Sequence, residues 1–77
     1  MAEAYVLIQT EIQKTPEVAV EVRKIPGIVT AEVVVGPYDA IAHVGADDVD
    51  SLGRLVVTKI QAVEGVTRTL TCQVVHL

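Results

Sequence analysis

Apolar and polar residues follow two different periods along this chain. Tyr5-Val6-Leu7-Ile8 is a continuous apolar run of strand length inside a segment from Ala4 to Thr10. Thr15-Pro16-Glu17 then reads as a helix start, with Thr15 as a capping residue, Pro16 in the first turn and Glu17 near the positive dipole end. Val18, Val22 and Ile25 recur at helical spacing and form one buried stripe, while Glu17, Glu21 and Lys24 face water. Pro26-Gly27 ends this helix. A second strand is expected from Ile28 to Val35, and Gly36-Pro37-Tyr38-Asp39 has the composition of a turn. Ala40 to Val44 is short enough to be the return strand of a hairpin. Asp47 and Asp48 offer caps for a second helix, with Asp50 in its first turn and a stripe of Val49, Leu52, Val56, Ile60 and Val63. Gly65 closes it, and Val66 to Val75 forms the last strand.

The order is βαββαβ, and its halves repeat. Val18 and Val56, Val22 and Ile60, Ile25 and Val63, Gly27 and Gly65, and Ile28 and Val66 each stand 38 positions apart. Matching stripes with matching stops imply two copies of one supersecondary unit. Two such units interleave into a ferredoxin-like α+β fold: a four-stranded antiparallel sheet with both helices on one face. The chain is expected to be a single domain over residues 1–77.

That geometry leaves the other sheet face uncovered, and the strands do not alternate as a wet face requires. Tyr5 and Leu7 oppose Val6 and Ile8, Val33, Val34 and Val35 are consecutive, and Leu70, Cys72 and Val74 share a face of the last strand. Such an apolar patch exceeds what soluble monomers usually expose. A homodimer packed sheet face to sheet face is the expected solution. Size points the same way, because a chain of 77 residues buries only roughly 60–65% of its unfolded surface.

Composition removes several function classes. Six Lys and Arg against ten Asp and Glu, with the cations scattered, argue against direct nucleic acid binding. One cysteine, Cys72, excludes an internal disulfide and any metal-ligand spacing, and reads as a small buried hydrophobe. No apolar run approaches the roughly 20 residues of a membrane span, and the start lacks the basic stretch of a signal peptide, so a cytoplasmic location is expected. Asp47, Asp48 and Asp50 are explained by capping and lack EF-hand spacing. His43 and His76 have no carboxylate or nucleophile at catalytic spacing. No catalytic residue, metal ligand or cofactor is therefore assigned.

The remaining candidate chemistry lies in two places. Tyr38 and Asp39 offer an aromatic wall and a carboxylate beside exposed backbone N–H groups, a combination suited to a small zwitterion. Thr67, Thr69 and Thr71 place three hydroxyls on one face of the last strand. A hairpin turn and ordinary strand threonines are the structural alternatives. Other ferredoxin-like chemistries lack their residues. The loop Glu11-Ile12-Gln13-Lys14 contains neither the CxxC of a metal-binding domain nor the Arg of an acyl-phosphate hydrolase, and no Trp or Phe lines an oxygenase-like barrel.

Lys24-Ile25-Pro26-Gly27-Ile28, Gly36-x-Tyr38-Asp39 and Gly65-Val66-x-Arg68-Thr69-x-Thr71 occur here in an order and spacing that resembles one family. The chain looks like the effector-binding (RAM) domain of Lrp/AsnC transcription regulators in its stand-alone form. The resemblance implies a dimeric α+β barrel, often assembled into a ring of dimers such as an octamer or decamer. It also implies an amino acid or similar small effector between dimers, meeting Gly36, Tyr38 and Asp39 and the strand residues Thr69 and Thr71. Pro37 stands where the family often has a polar or acidic residue, and removes one backbone donor. Full-length regulators carry a helix-turn-helix before this module. The first strand here begins almost at Met1, so regulation through a DNA-binding family relative is the expectation. The alternatives are a small dimeric-barrel enzyme and a purely structural assembly module.

Overall fold

A computed structural model describes all 77 residues. The elements are β1 (Ala2–Thr10), α1 (Thr15–Arg23), β2 (Ile28–Val33), β3 (Ala40–Ala46), α2 (Val49–Leu55) running on into a π-helical turn (Val56–Ile60), and β4 (Val66–Gln73). The strands form one antiparallel sheet in the order β2-β3-β1-β4, the ferredoxin-like arrangement.

The repeat has a direct structural counterpart. Gly27 and Gly65 both end a helix with positive φ, 101° and 99°. That conformation is open to glycine and strained for other residues. Each then presents its carbonyl to the end of a strand: Gly45 donates to Gly27 and Glu11 to Gly65, both at 2.8 Å. A Cβ on Gly27 would stand 2.6 Å from Leu55 Cδ1 and 3.0 Å from the Gly45 oxygen. The helix stops are therefore also the points where helices lock onto the sheet.

The core is small-residued. Ala4, Val6, Ile8, Ala31, Ala42 and Val44 line the covered face of the sheet, and Val18, Val22, Leu52, Val56 and Ile60 press on it from the helices. Alanines on the sheet let helices approach closely, and β-branched residues fill the remaining space in few rotamers.

Several boundaries differ from the sequence expectation. The α1 cap is Lys14 and no side chain caps it. The Thr15 hydroxyl instead pairs with the Thr10 hydroxyl at 2.7 Å, drawn off by a partner on β1. Asp48 rather than Asp47 caps α2, accepting from the Ser51 N–H at 2.7 Å. Val49 stays half exposed at the start of that helix, outside the buried stripe. β2 ends at Val33 because the Val34 N–H turns to the Asp39 carbonyl, which closes the hairpin and leaves Val35 in water. β4 stops at Gln73, short of Val75, while β1 and β3 each extend by two residues, to Ala2 and Ala46.

The π-helical turn was not foreseen. Thr58 donates its hydroxyl to the Arg54 carbonyl at 2.6 Å, and the Gln61 N–H reaches back five residues to Val56 at 3.0 Å. Three consecutive β-branched residues, Val56, Val57 and Thr58, and a hydroxyl bonded to the backbone acceptor loosen the helix at that point.

Candidate functional site

The turn between β2 and β3 is held from β1. The Asp39 N–H donates to the Ile8 carbonyl at 2.9 Å, and Asp39 Oδ2 accepts from the Thr10 N–H at 2.8 Å and from its hydroxyl at 3.3 Å. Gln9 donates to the Pro37 carbonyl at 3.3 Å. Asp39 therefore ends the β1 ladder as a side-chain cap, 29 residues from its partner in sequence. One carboxylate oxygen is committed to this tether, while Oδ1 has no partner within the chain. The N–H groups of Gly36 and Tyr38 are also unpaired within the chain, as their absence from the strand ladders and turns requires. Beside them Leu7, Val34, Pro37, Tyr38 and Ile41 line an apolar groove of about 400 Å³. An acceptor, two donors and an apolar wall thus share one corner of the sheet.

Thr69 and Thr71 do not join that corner. Thr69 pairs with Ile8 and Thr71 with Val6, so both lie on the helix-covered side of edge strand β4. β1 separates them from the β2–β3 turn, a span of two strand spacings or roughly 10 Å. Thr67 sits where the β1–β4 register slips, opposite the Gln9/Thr10 bulge. Thr69 accepts from Gln61 Nε2 at 2.9 Å. Gln61, Thr67, Arg68 and Thr69 line a second, polar cleft of about 370 Å³. Gln61 was missed from sequence because its reach to Thr69 depends on the π-helical turn before it. Gly36, Tyr38 and Asp39 form one cluster within the chain, and Thr69 and Thr71 another.

The uncovered sheet face carries a third group of residues. Leu7 stands between Ile41 and Leu70, and Tyr5 between His43 and Cys72. Tyr5 on central β1 and Leu70 on edge strand β4 remain 46% and 47% exposed, large values for apolar side chains on one face of a sheet. Cys72 is exposed on this face and not buried as its apolar surroundings suggested, because no helix crosses here. His43 has a carboxylate neighbour after all: its Nε2 lies 2.9 Å from Glu3 Oε2, brought together across 40 residues by the β1–β3 pairing. No cluster of three or more His, Cys, Asp or Glu with metal-binding geometry is present. No helix is long and apolar enough to cross a membrane. The Asp48 carboxyl is held below its ordinary pKa by the N–H of Ser51 at the helix cap.

Residues 3–76 match the model of the Lrp/AsnC ligand binding domain, and the chain belongs to that family. It is 34% identical over 55 residues to an uncharacterized HTH-type transcriptional regulator, PH1916 of Pyrococcus horikoshii. The match covers 71% of this chain but only 37% of the relative, so the chain spans little more than a third of the curated relatives' length. TTHA0845 of Thermus thermophilus superposes with a TM-score of 0.93 at 31% identity, covering 100% of this chain and 96% of that one. The transcriptional regulator NMB0573 of Neisseria meningitidis, solved as its L-Met complex, shares the fold with a TM-score of 0.86 at 18% identity, over 97% of this chain and 50% of that one.

Proposed function

We propose that this chain is an effector-sensing and assembly module of transcription regulation. In this reading it works as a dimer closed through the open sheet face, with dimers associating further into a ring. The ligand is an amino acid or a similar small zwitterion, taken up where the β2–β3 turn of one dimer meets the next. The observation that carries this reading is the free Asp39 oxygen on the same turn as the unpaired Gly36 and Tyr38 N–H groups. Asp39 would hold the ammonium and the N–H groups the carboxylate, with Pro37 and Tyr38 of the turn against the side chain, because Leu7 and Ile41 would lie under the partner copy. The L-Met complex of NMB0573 is in keeping with that ligand class. Thr69 and Thr71, distant within one chain, would join the site from a neighbouring dimer, which makes assembly and binding one equilibrium.

Catalysis has no part in this reading. The one His–carboxylate pair lies on the sheet face, away from the turn. The relatives are named as helix-turn-helix regulators, so the output would pass to DNA through a helix-turn-helix unit of that kind. A thermal-shift screen with the twenty amino acids tests the proposal. At about 100 times Kd a ligand should add roughly 2.7 kcal/mol of stability. Tyr38→Ala should abolish the shift without touching the Thr10 tether. No shift with any amino acid, in a preparation that does assemble, would overturn the sensing role.

A further inference from the structure

We propose that the open sheet face carries a pH gate on self-association, formed by Glu3, Tyr5 and His43; this inference rests on the sheet-face dimer above. His43 Nε2 and Glu3 Oε2 are 2.9 Å apart with side chains already only 23% and 30% exposed. The Tyr5 ring stacks on the imidazole, centroids 4.8 Å apart and planes 14° from parallel. Tyr5 and His43 are cross-strand partners one step from Leu7 and Ile41, at the apolar centre of the face. A second copy laid on that centre removes much of the remaining water from the cluster.

The sign follows from net charge. With His43 protonated and Glu3 ionised the pair is neutral, and covering it costs far less than covering a lone charge. Once His43 loses its proton, association must bury an uncompensated carboxylate in each protomer. On the neighbouring strand Thr30 faces His43 and is neutral, and Glu32, paired with Ile41 one step away, is a second anion on this face. From β4, Cys72 stands behind Tyr5 and Arg68 lies two steps off opposite Gln9, and the Met1 ammonium precedes Glu3 by two residues. The dimer therefore takes up protons as it forms and loosens as pH rises through the range where histidines titrate. Such a module senses two inputs, a ligand at the β2–β3 turn and acidity at the dimer face.

The dissociation constant, measured by sedimentation of serial dilutions at about pH 5.8 and about pH 7.8, tests this. The wild-type chain should dissociate about tenfold more readily at the higher pH. His43→Gln should flatten the response, and His76→Gln, outside the sheet, should keep it. Glu3→Gln should invert it, because the protonated ring then lacks its paired anion and the neutral ring carries no cost. An equal constant at both pH values, or a response that survives His43→Gln, overturns the gate and leaves the dimer standing. A monomer at both pH values overturns the dimer and the gate together.

Discussion

The two faces of the sheet are made of similar residues and have different fates. On one, Ala4, Val6 and Ile8 of β1 are fully buried beneath two helices. On the other, Tyr5 and Leu7 of the same strand meet Ile41, His43, Leu70 and Cys72 with nothing over them. Alternation along a strand distributes residues between faces, but only the connections decide which face is covered. Both crossovers of this fold put their helices on one side. An apolar second face left open is the surface on which the proposed dimer closes, and a 77-residue core gains most from such closure.

Adjacent residues of β1 give the sharpest contrast. Ile8→Ala should cost roughly 2–5 kcal/mol of folding stability at any concentration, as a fully buried side chain is replaced by a cavity. Leu7→Ala should cost less, and its effect on denaturant midpoints should depend on protein concentration, because its lost contacts lie between copies. Equal, concentration-independent losses at both positions would erase the distinction between the faces. A smaller effect is expected where the faces meet, at the end of β1. Asp39→Asn keeps an acceptor for Thr10 and should lose at most about 1 kcal/mol of stability while weakening ligand binding. The smallest effect belongs to Asp48, which lies on neither face. Its acidity is raised by the Ser51 N–H, so its capping contribution is present above the ordinary carboxylate value of 3.8 and fades as pH falls below it. Asp48→Ala should therefore lower Tm slightly at neutral pH and leave the acid limb of the stability curve shallower.

The parts of this structure legible in sequence were those set by local period and by glycine. The stripes of Val18 and Val22 and of Leu52, Val56 and Ile60 are buried as their spacing requires. Gly27 and Gly65 end both helices at positive φ. The open face could be inferred from strands that are apolar on both sides. What local pattern could not supply was competition over distance. Thr15 fails to cap because Thr10 claims its hydroxyl. Asp39, visible as a candidate ligand residue, is also a structural tether because Thr10 reaches it. Glu3 and His43 become a pair through strand register alone, and a one-residue slip would have parted them. Thr69 and Thr71 were visible as hydroxyls on one side of β4, but which side, and their distance from Asp39, follow from the sheet order.

In the proposed assembly a second copy closes the uncovered face. Light scattering after size exclusion, at micromolar concentration and about pH 6, tests it most directly when the wild-type chain is compared with Leu7→Asp. A dimer or a multiple of dimers for the wild type, and a folded monomer once a charge stands between Ile41 and Leu70, is the predicted result. A wild-type monomer, or an assembly unchanged by Leu7→Asp, would contradict it.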